Sequence, residues 1–448
     1  MRLTTGTKVA ALLATTALLA AGCSSSDAGD SAGSGDAGDS GDTAAAGPVD
    51  LTFWTWAPNM EKVVDLWNAE NPDIQVTVNK QDGGDPAVTK LLTAIKAGSG
   101  APDIMQAEYQ KIPTLVSSDA LADIAGNVGD DVASGFPEGV WNGVTLGSDA
   151  VYAVPQDSGP MEFYYRADVF EELGLDVPTT WEEFADAART VNEADSDMYL
   201  GTFSATDAGW FTGLSQQAGA SWWGIDGDAW SVDIDSEATK KVADYWGGLV
   251  EEGVIDNKPM YTPEWNAALN DGTQIGWLSA VWAPGVLEGN APDTAGTWEM
   301  AAMPQWDASA PATGNWGGSA TGVTTQSEHP EQAAEFITWL NTDQEAVNAL
   351  VKEAGIYPAY TPAQAEALAE PPAFFSNQEN FYELAGEIAD TAGSFTYGPN
   401  VNVAFSAYND AFGKAAESKS QAEFLDAVDT MQSTTLDDLK NSGFNVSE

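Results

Sequence analysis

The sequence predicts an α/β protein with a mainly parallel, doubly wound sheet. Short β-prone runs alternate with amphipathic helical ones, the alternation persists over most of the chain, and no internal repeat interrupts it. The 448 residues are 43% hydrophobic and 10% aromatic, enough to fill cores in two or three domains. In chain order, Leu51–Trp56 reads as a strand. Val63, Val64, Leu66 and Trp67 share a helical face that stops near Asn71-Pro72, and Ile74–Val78 is a second strand. Val88, Leu91, Leu92 and Ile95 recur at helical spacing until Gly98 and Gly100 end them. Thr180-Trp181-Glu182-Glu183 has the spacing of a capping box opening a helix through Val191. Pro330 opens another helix, with Ala333, Ala334, Phe336, Ile337 and Leu340 inward. From about Gln364 the chain is mainly helical, ending on Phe424, Leu425, Val428, Met431 and Leu436. Pro and Gly concentrate at 155–160, 283–292 and 304–318, which suits loops or crossings between units.

The N-terminus does other work. Arg2 and Lys8 precede a short apolar run, and Leu19-Ala20-Ala21-Gly22-Cys23 follows. A charged start, a short apolar core and small residues before a cut describe a secretory signal over 1–22. The Leu-Ala-Ala-Gly-Cys sequence resembles a bacterial lipobox, in which Cys23 is lipidated and becomes the new terminus. The alternative is an ordinary signal with a chance cysteine, but the chain's only cysteine falls at the cut. Residues 24–47 are Ser, Gly, Ala, Asp and Thr without a large apolar side chain before Pro48, a composition expected to form a flexible acidic tether.

Charge excludes several functions. Sixteen Lys and Arg stand against 68 Asp and Glu, a net charge of −52. Removing the signal takes two basic groups and no acidic one, leaving −54. Nucleic-acid binding needs clustered cations that this chain lacks. One cysteine and one histidine, His329, cannot build a His/Cys zinc site or an internal disulfide. His329 precedes Pro330 at a helix start, where a capping or surface role is the simpler expectation. With Arg166 and Arg189 the only arginines after residue 2, bidentate clamping of an anionic ligand is disfavoured. The acidic stretch Asp226-Gly227-Asp228 lacks calcium-loop spacing and fits a hairpin better.

Nine short motifs in order resemble the maltose-binding-like family of extracellular solute-binding proteins, the receptors of carbohydrate ABC importers. They begin with Phe53-Trp54-Thr55-Trp56, Asn71-Pro72-Asp73-Ile74, Ala101-Pro102-Asp103-Ile104 and Ala120-Leu121-Ala122-Asp123-Ile124. Tyr152-Ala153-Val154-Pro155-Gln156-Asp157 with Tyr164-Tyr165-Arg166, and Pro178-Thr179-Thr180-Trp181-Glu182-Glu183-Phe184, continue the series. Gly317-Gly318-Ser319, Pro330-Glu331-Gln332-Ala333-Ala334 and Gly355-Ile356-Tyr357-Pro358 close it. The resemblance implies a periplasmic-binding-protein-like fold of two lobes, each a mainly parallel sheet flanked by helices, joined by several crossings. It places 48–155 plus 316–345 in the first lobe and 156–315 plus 346–448 in the second, with the ligand between them.

A sugar offers apolar ring faces and hydroxylated edges, so its site needs flat aromatic platforms and carboxylate, amide or indole partners. Seventeen tryptophans and abundant carboxylates fit, although Trp also fills cores. Trp67 and Trp339, on amphipathic faces, are expected in the core, and Trp181 at a helix start. Trp54 and Trp56 end the first strand, where ligands collect in open α/β sheets, so one of the pair is expected to face the cleft. Trp210, Trp222, Trp223 and Trp282 lie in loop-like surroundings beside Gly, Ser or Pro, and Trp316 precedes Gly317-Gly318. Trp210 and Trp282 lead this set, and Trp282 matches the position of a stacking Trp in the resembled family. Glu108, Tyr109, Asp157 and Asn315 are the expected hydroxyl partners. The run Gln156–Glu162 leaves open whether Asp157 or Glu162 is the site carboxylate.

The expected function is a lipid-anchored receptor on the outer face of the bacterial membrane. It captures a neutral di- or oligosaccharide and delivers it to ABC permease subunits, acting as a monomer with no cofactor and no catalytic residue. Two alternatives stand beside it. One is a secreted glycoside hydrolase using two carboxylates, against which the elements do not alternate as an eightfold barrel. The other is a receptor for a cation such as a polyamine, suggested by the net charge, which equally serves solubility.

Overall fold

A computed structural model describes residues 48–447, residues 130 and 228 excepted. The signal, Cys23 and the tether lie outside the described residues.

Ten strands are numbered in chain order: β1 Val49–Thr55, β2 Ile74–Lys80, β3 Ile104–Glu108, β4 Val154–Asp157, β5 Met161–Arg166, β6 Trp223–Asp226, β7 Ala229–Val232, β8 Gly276–Ala280, β9 Trp298–Ala302 and β10 Ser319–Val323. The first lobe holds a five-stranded sheet in the order β2-β1-β3-β10-β4. β1 runs parallel to β2 and β3, whereas β10 is antiparallel to β3 and β4. The reversed strand is the one that re-enters from the second lobe. Helices Met60–Glu70 and Pro330–Thr342 cover one face. Trp67 meets Phe336 edge-on at 5.5 Å and Trp339 at 5.2 Å, so the expected core pair is a core pair. Helices Asp85–Ala97 and Ile112–Ser117 cover the other face, with Val88, Leu91, Ile112 and Leu115 buried.

The second lobe departs from a mainly parallel sheet. Its sheet has the order β8-β5-β9, and β5 is antiparallel to both neighbours because it carries the chain away from the crossing. Isolated parallel bridges at Thr180–Gln305, Tyr199–Gln274 and Thr202–Asp256 widen the layer. Helix Trp181–Ala194 opens on the expected capping box: Thr180 Oγ1 accepts from the Glu183 amide at 3.2 Å, and Glu183 accepts from the Thr180 amide at 3.1 Å. β6 and β7 form the hairpin expected around Asp226-Gly227.

One boundary moves. Residues 346–367, expected with the second lobe, pack largely on the first: Leu350, Ile356 and Ala359 join its core, while Tyr357 joins the second. The segment is held there because Pro358 bridges Asp157 and the Ala359 amide donates to the Gln156 carbonyl at 3.1 Å. Phe374 and Phe375 already belong to the second core. The chain therefore passes between the cores at three places, 157–161, 313–318 and between Tyr360 and Leu368.

Candidate functional site

The C-terminal ends of β1, β3 and β4 and the start of β10 lie side by side, and a chain of polar side chains ties them together. Gln106 is buried; its Oε1 accepts from Thr55 Oγ1 at 2.5 Å and from the amides of Trp56 and Ala57 at 3.3 and 3.4 Å. Its Nε2 donates to Ser319 Oγ at 2.9 Å. Ser319 in turn donates to Asp157 Oδ1 from its hydroxyl at 2.5 Å and from its amide at 2.7 Å. Burial pushes the Asp157 carboxyl up to about 6, against the pull of those two donors. The network fixes the loop that carries Trp56, and Gly83 sits so close that an added Cβ would lie 3.3 Å from the Trp56 ring.

The second lobe supplies the facing wall. Asp207 caps helix Ala208–Gln217, accepting from the Trp210 amide at 3.0 Å, and its carboxylate also takes the Trp316 indole N–H. Burial raises Asp207 to about 6 as well. Gly209 keeps this seat open, since a Cβ there would lie 3.2 Å from the Trp316 indole and press the ring back by a few tenths of an ångström. Trp282 donates its indole N–H to the Trp316 carbonyl at 2.9 Å, and the two rings meet edge-on at 4.8 Å. Tyr261 completes the corner, 6.2 Å from Trp316 and 40% exposed, with a left-handed backbone (φ 65°) unusual for an aromatic residue. Between the walls lies a cavity of about 510 Å³, lined by Trp56, Gln106, Glu108, Asp157 and Ser319 from the first lobe and by Asp207, Tyr261, Trp282 and Trp316 from the second lobe and the crossing. No Lys, Arg or His lines it. Such a volume suits a small ligand, and rings at a corner beside buried acceptors suit one with apolar faces and donating edges.

The expected residues divide three ways. Trp56, Glu108, Asp157, Trp282 and Trp316 come together in this cleft. Tyr109 and Asn315 line a second crevice of about 120 Å³ instead: Tyr109 opens the turn that follows β3, and Asn315 bridges to Pro160 one residue before Trp316. The Tyr109 hydroxyl donates to the Asp157 carbonyl at 3.0 Å, and burial holds the phenol well above its usual range. Trp54, Trp210, Trp222 and Trp223 are corrected to core positions. Trp54 lies over helix Asp85–Ala97 with the Lys90 ammonium 4.1 Å above its ring. Trp210 donates to the Leu278 carbonyl at 3.0 Å and meets Trp246 edge-on at 5.1 Å, leaving no face for a ligand. Trp222 donates to Thr239 Oγ1 at 2.9 Å, and Trp223 is roofed by Gly398. Glu162 is fully buried, so the carboxylate in the cleft is Asp157.

Asp207, Tyr261, Gln106 and Ser319 were not expected. Asp207 carried a signal, an Asp two residues before Gly-Trp at a helix start. Ser319 did too, directly after Gly317-Gly318. Tyr261 and Gln106 carried none.

Two lobes, three crossings and a cleft walled from both sides define a two-lobed binding protein. The profile of the bacterial extracellular solute-binding protein family matches residues 54–347, and the chain belongs to that family. An arabinooligosaccharide-binding protein of Halalkalibacterium halodurans is 25% identical over 76% of this chain and 77% of its own length. A lactose-binding protein of Rhizobium radiobacter is 27% identical over 77% of this chain and 83% of its own. Among solved structures, the galacto-N-biose/lacto-N-biose I-binding protein of a Bifidobacterium longum ABC transporter, in complex with lacto-N-biose, is 29% identical with a TM-score of 0.79. That match covers 90% of this chain and all of that one.

Proposed function

We propose that this protein is a lipid-anchored extracellular receptor that captures a neutral di- or oligosaccharide between its lobes and hands it to an ABC importer. The observation that carries the reading is the cleft itself: an aromatic corner of Trp282, Trp316 and Tyr261, with Asp207 beside it, faces Glu108 and Asp157, and no Lys, Arg or His lines the space between. The sugar-binding relatives support the cargo class, and the Leu-Ala-Ala-Gly-Cys23 sequence supports the anchor. The ring corner receives C–H faces, and the carboxylates accept hydroxyl donors in charge-assisted bonds. A ligand touching both walls has greater affinity for the closed state and so draws the lobes together.

The test is a melting-temperature screen against arabino-oligosaccharides, lactose, lacto-N-biose, galactobiose and spermidine, with chromatography of the spent sugar. A ligand that binds only the native state stabilises it, by about 2.7 kcal/mol at a hundredfold excess over Kd. At least one neutral sugar should raise the melting temperature and be recovered intact. A response to spermidine alone, or cleaved sugar, overturns the reading.

A further inference from the structure

We propose that Ser319 is a positioning residue: it engages one oxygen of Asp157 within the first-lobe wall and leaves the other to accept from a hydroxyl of the sugar. The inference deepens the sugar reading and rests on it for the ligand, whereas the placement of the carboxylate is a property of the protein alone. Hydrogen-bond direction carries it. Backbone amides only donate, so those of Trp56 and Ala57, at 3.3 and 3.4 Å, require the oxygen of the Gln106 side chain to face them. Its nitrogen then faces Ser319 and donates to Oγ at 2.9 Å. With Gln106 donating to it, the Ser319 hydroxyl sends its single proton to Asp157 Oδ1 at 2.5 Å. The Ser319 amide adds a second bond to the same oxygen at 2.7 Å. Among the described residues none but Asp157 itself donates to Oδ2.

The local backbone makes this arrangement. Gly317 and Gly318, with φ of 77° and 84°, turn the chain into β10, and the register against β4 shifts between Ser319 and Ala320. Such an irregularity re-aims the side chain beside it, and here hydroxyl and amide converge on one oxygen. Because two donors occupy Oδ1, a proton taken up by Asp157 falls on Oδ2, the oxygen offered to the ligand. Burial pushes the carboxyl up to about 6, and the two Ser319 bonds pull against that rise. The titratable groups that face it are the Tyr109 phenol, whose hydroxyl donates to the Asp157 carbonyl, and Glu108 and Asp207 in the same cleft. None of them is a cation, so the donors of Ser319 are what favour the ionised form. Sugar affinity should therefore fall as pH drops through about 6, where the charge-assisted acceptor is lost.

The test titrates Asp157 in the ligand-free full chain through the carboxyl carbon resonance of isotope-labelled aspartate, assigned by its loss in Asp157→Asn. Wild type should give a midpoint of about 6. Ser319→Ala, with one donor to the carboxylate gone, should give a midpoint about one to two pH units higher. Ser319→Thr keeps the hydroxyl and should restore the wild-type value. Calorimetry with any neutral sugar found in the screen should show the same displacement. Ser319→Ala should lose affinity about tenfold per pH unit below its own midpoint, and its deficit against wild type should narrow as pH rises. An unmoved Asp157 midpoint in folded Ser319→Ala overturns the proposal. So does a deficit in sugar affinity that is the same at every pH, the mark of lost packing. Should Ser319→Ala fail to fold, Ser319→Cys, whose thiol donates weakly, should raise the midpoint to a smaller extent, and an unchanged value there decides against Ser319. A raised midpoint in a protein that binds no glycan would refute the cargo and leave the positioning of the carboxylate standing.

Discussion

Glu162 sits on the central strand of the second lobe with none of its surface exposed, and the Tyr164 hydroxyl donates to its Oε2 at 2.5 Å. The other titratable groups against it are the phenols of Tyr357 and Tyr382, so no cation offsets its charge. Burial pushes the carboxyl up to about 8. In the unfolded chain it ionises near 4.5, so between these values the native state holds a proton that the unfolded state has released. Stability must therefore fall as pH rises through that window, by about 1.4 kcal/mol per pH unit from this group. Glu162→Gln should flatten the loss measured by denaturant titration from pH 5 to 8; an unchanged slope would show that the carboxyl is solvated. Why Asp157 and not Glu162 reaches the cleft was hidden in the sequence for the same reason. The two stand five residues apart on nearly continuous extended chain, and only the crossing at 157–161 separates cleft from core.

At the scale of elements, local chemistry was legible and distant cover was not. The Thr180/Glu183 capping box and the inward face of Pro330–Thr342 rest on contacts within one or two turns, and both are present as expected. Trp210 misleads because its neighbours Asp207 and Gly209 are typical of an exposed helix start. What buries it lies far away in the chain, at Leu278 and Trp246. Trp222 and Trp223 mislead likewise, since Thr239 and the segment carrying Phe395 and Gly398 close over a run flanked by Gly and Ser. Trp282 differs because Pro284 stops it from entering a helix core, and it stays at the cleft as the N-cap of Ala283–Asn290. Two alanine variants should separate these roles. Trp210→Ala should cost about 3–5 kcal/mol of stability, the range for an emptied aromatic site. Trp282→Ala, removing a partly buried ring, should cost less and abolish the sugar-induced rise in melting temperature. If Trp282→Ala kept that rise, the aromatic corner would not be the platform.

For the whole molecule the dominant quantity is charge. A net charge of −52, or −54 once the signal is gone, acts on a fold whose cleft is lined by Glu108, Asp157 and Asp207 and by no Lys, Arg or His. Self-repulsion of that size destabilises the compact state and is screened by salt, with a Debye length of about 30 Å at 0.01 M and about 3 Å at 1 M. The melting temperature should therefore climb with sodium chloride over that range. Ligand affinity gives a separate reading of the same field. A neutral sugar gains nothing from long-range attraction, so its calorimetric Kd should stay within about twofold as salt rises. A cationic ligand would be drawn in by the whole acidic surface and would weaken steeply over the same titration. Stability that rises with salt beside an affinity that does not move is the signature expected of an acidic receptor for uncharged cargo. An affinity that collapses with salt would instead assign the cleft to a cation.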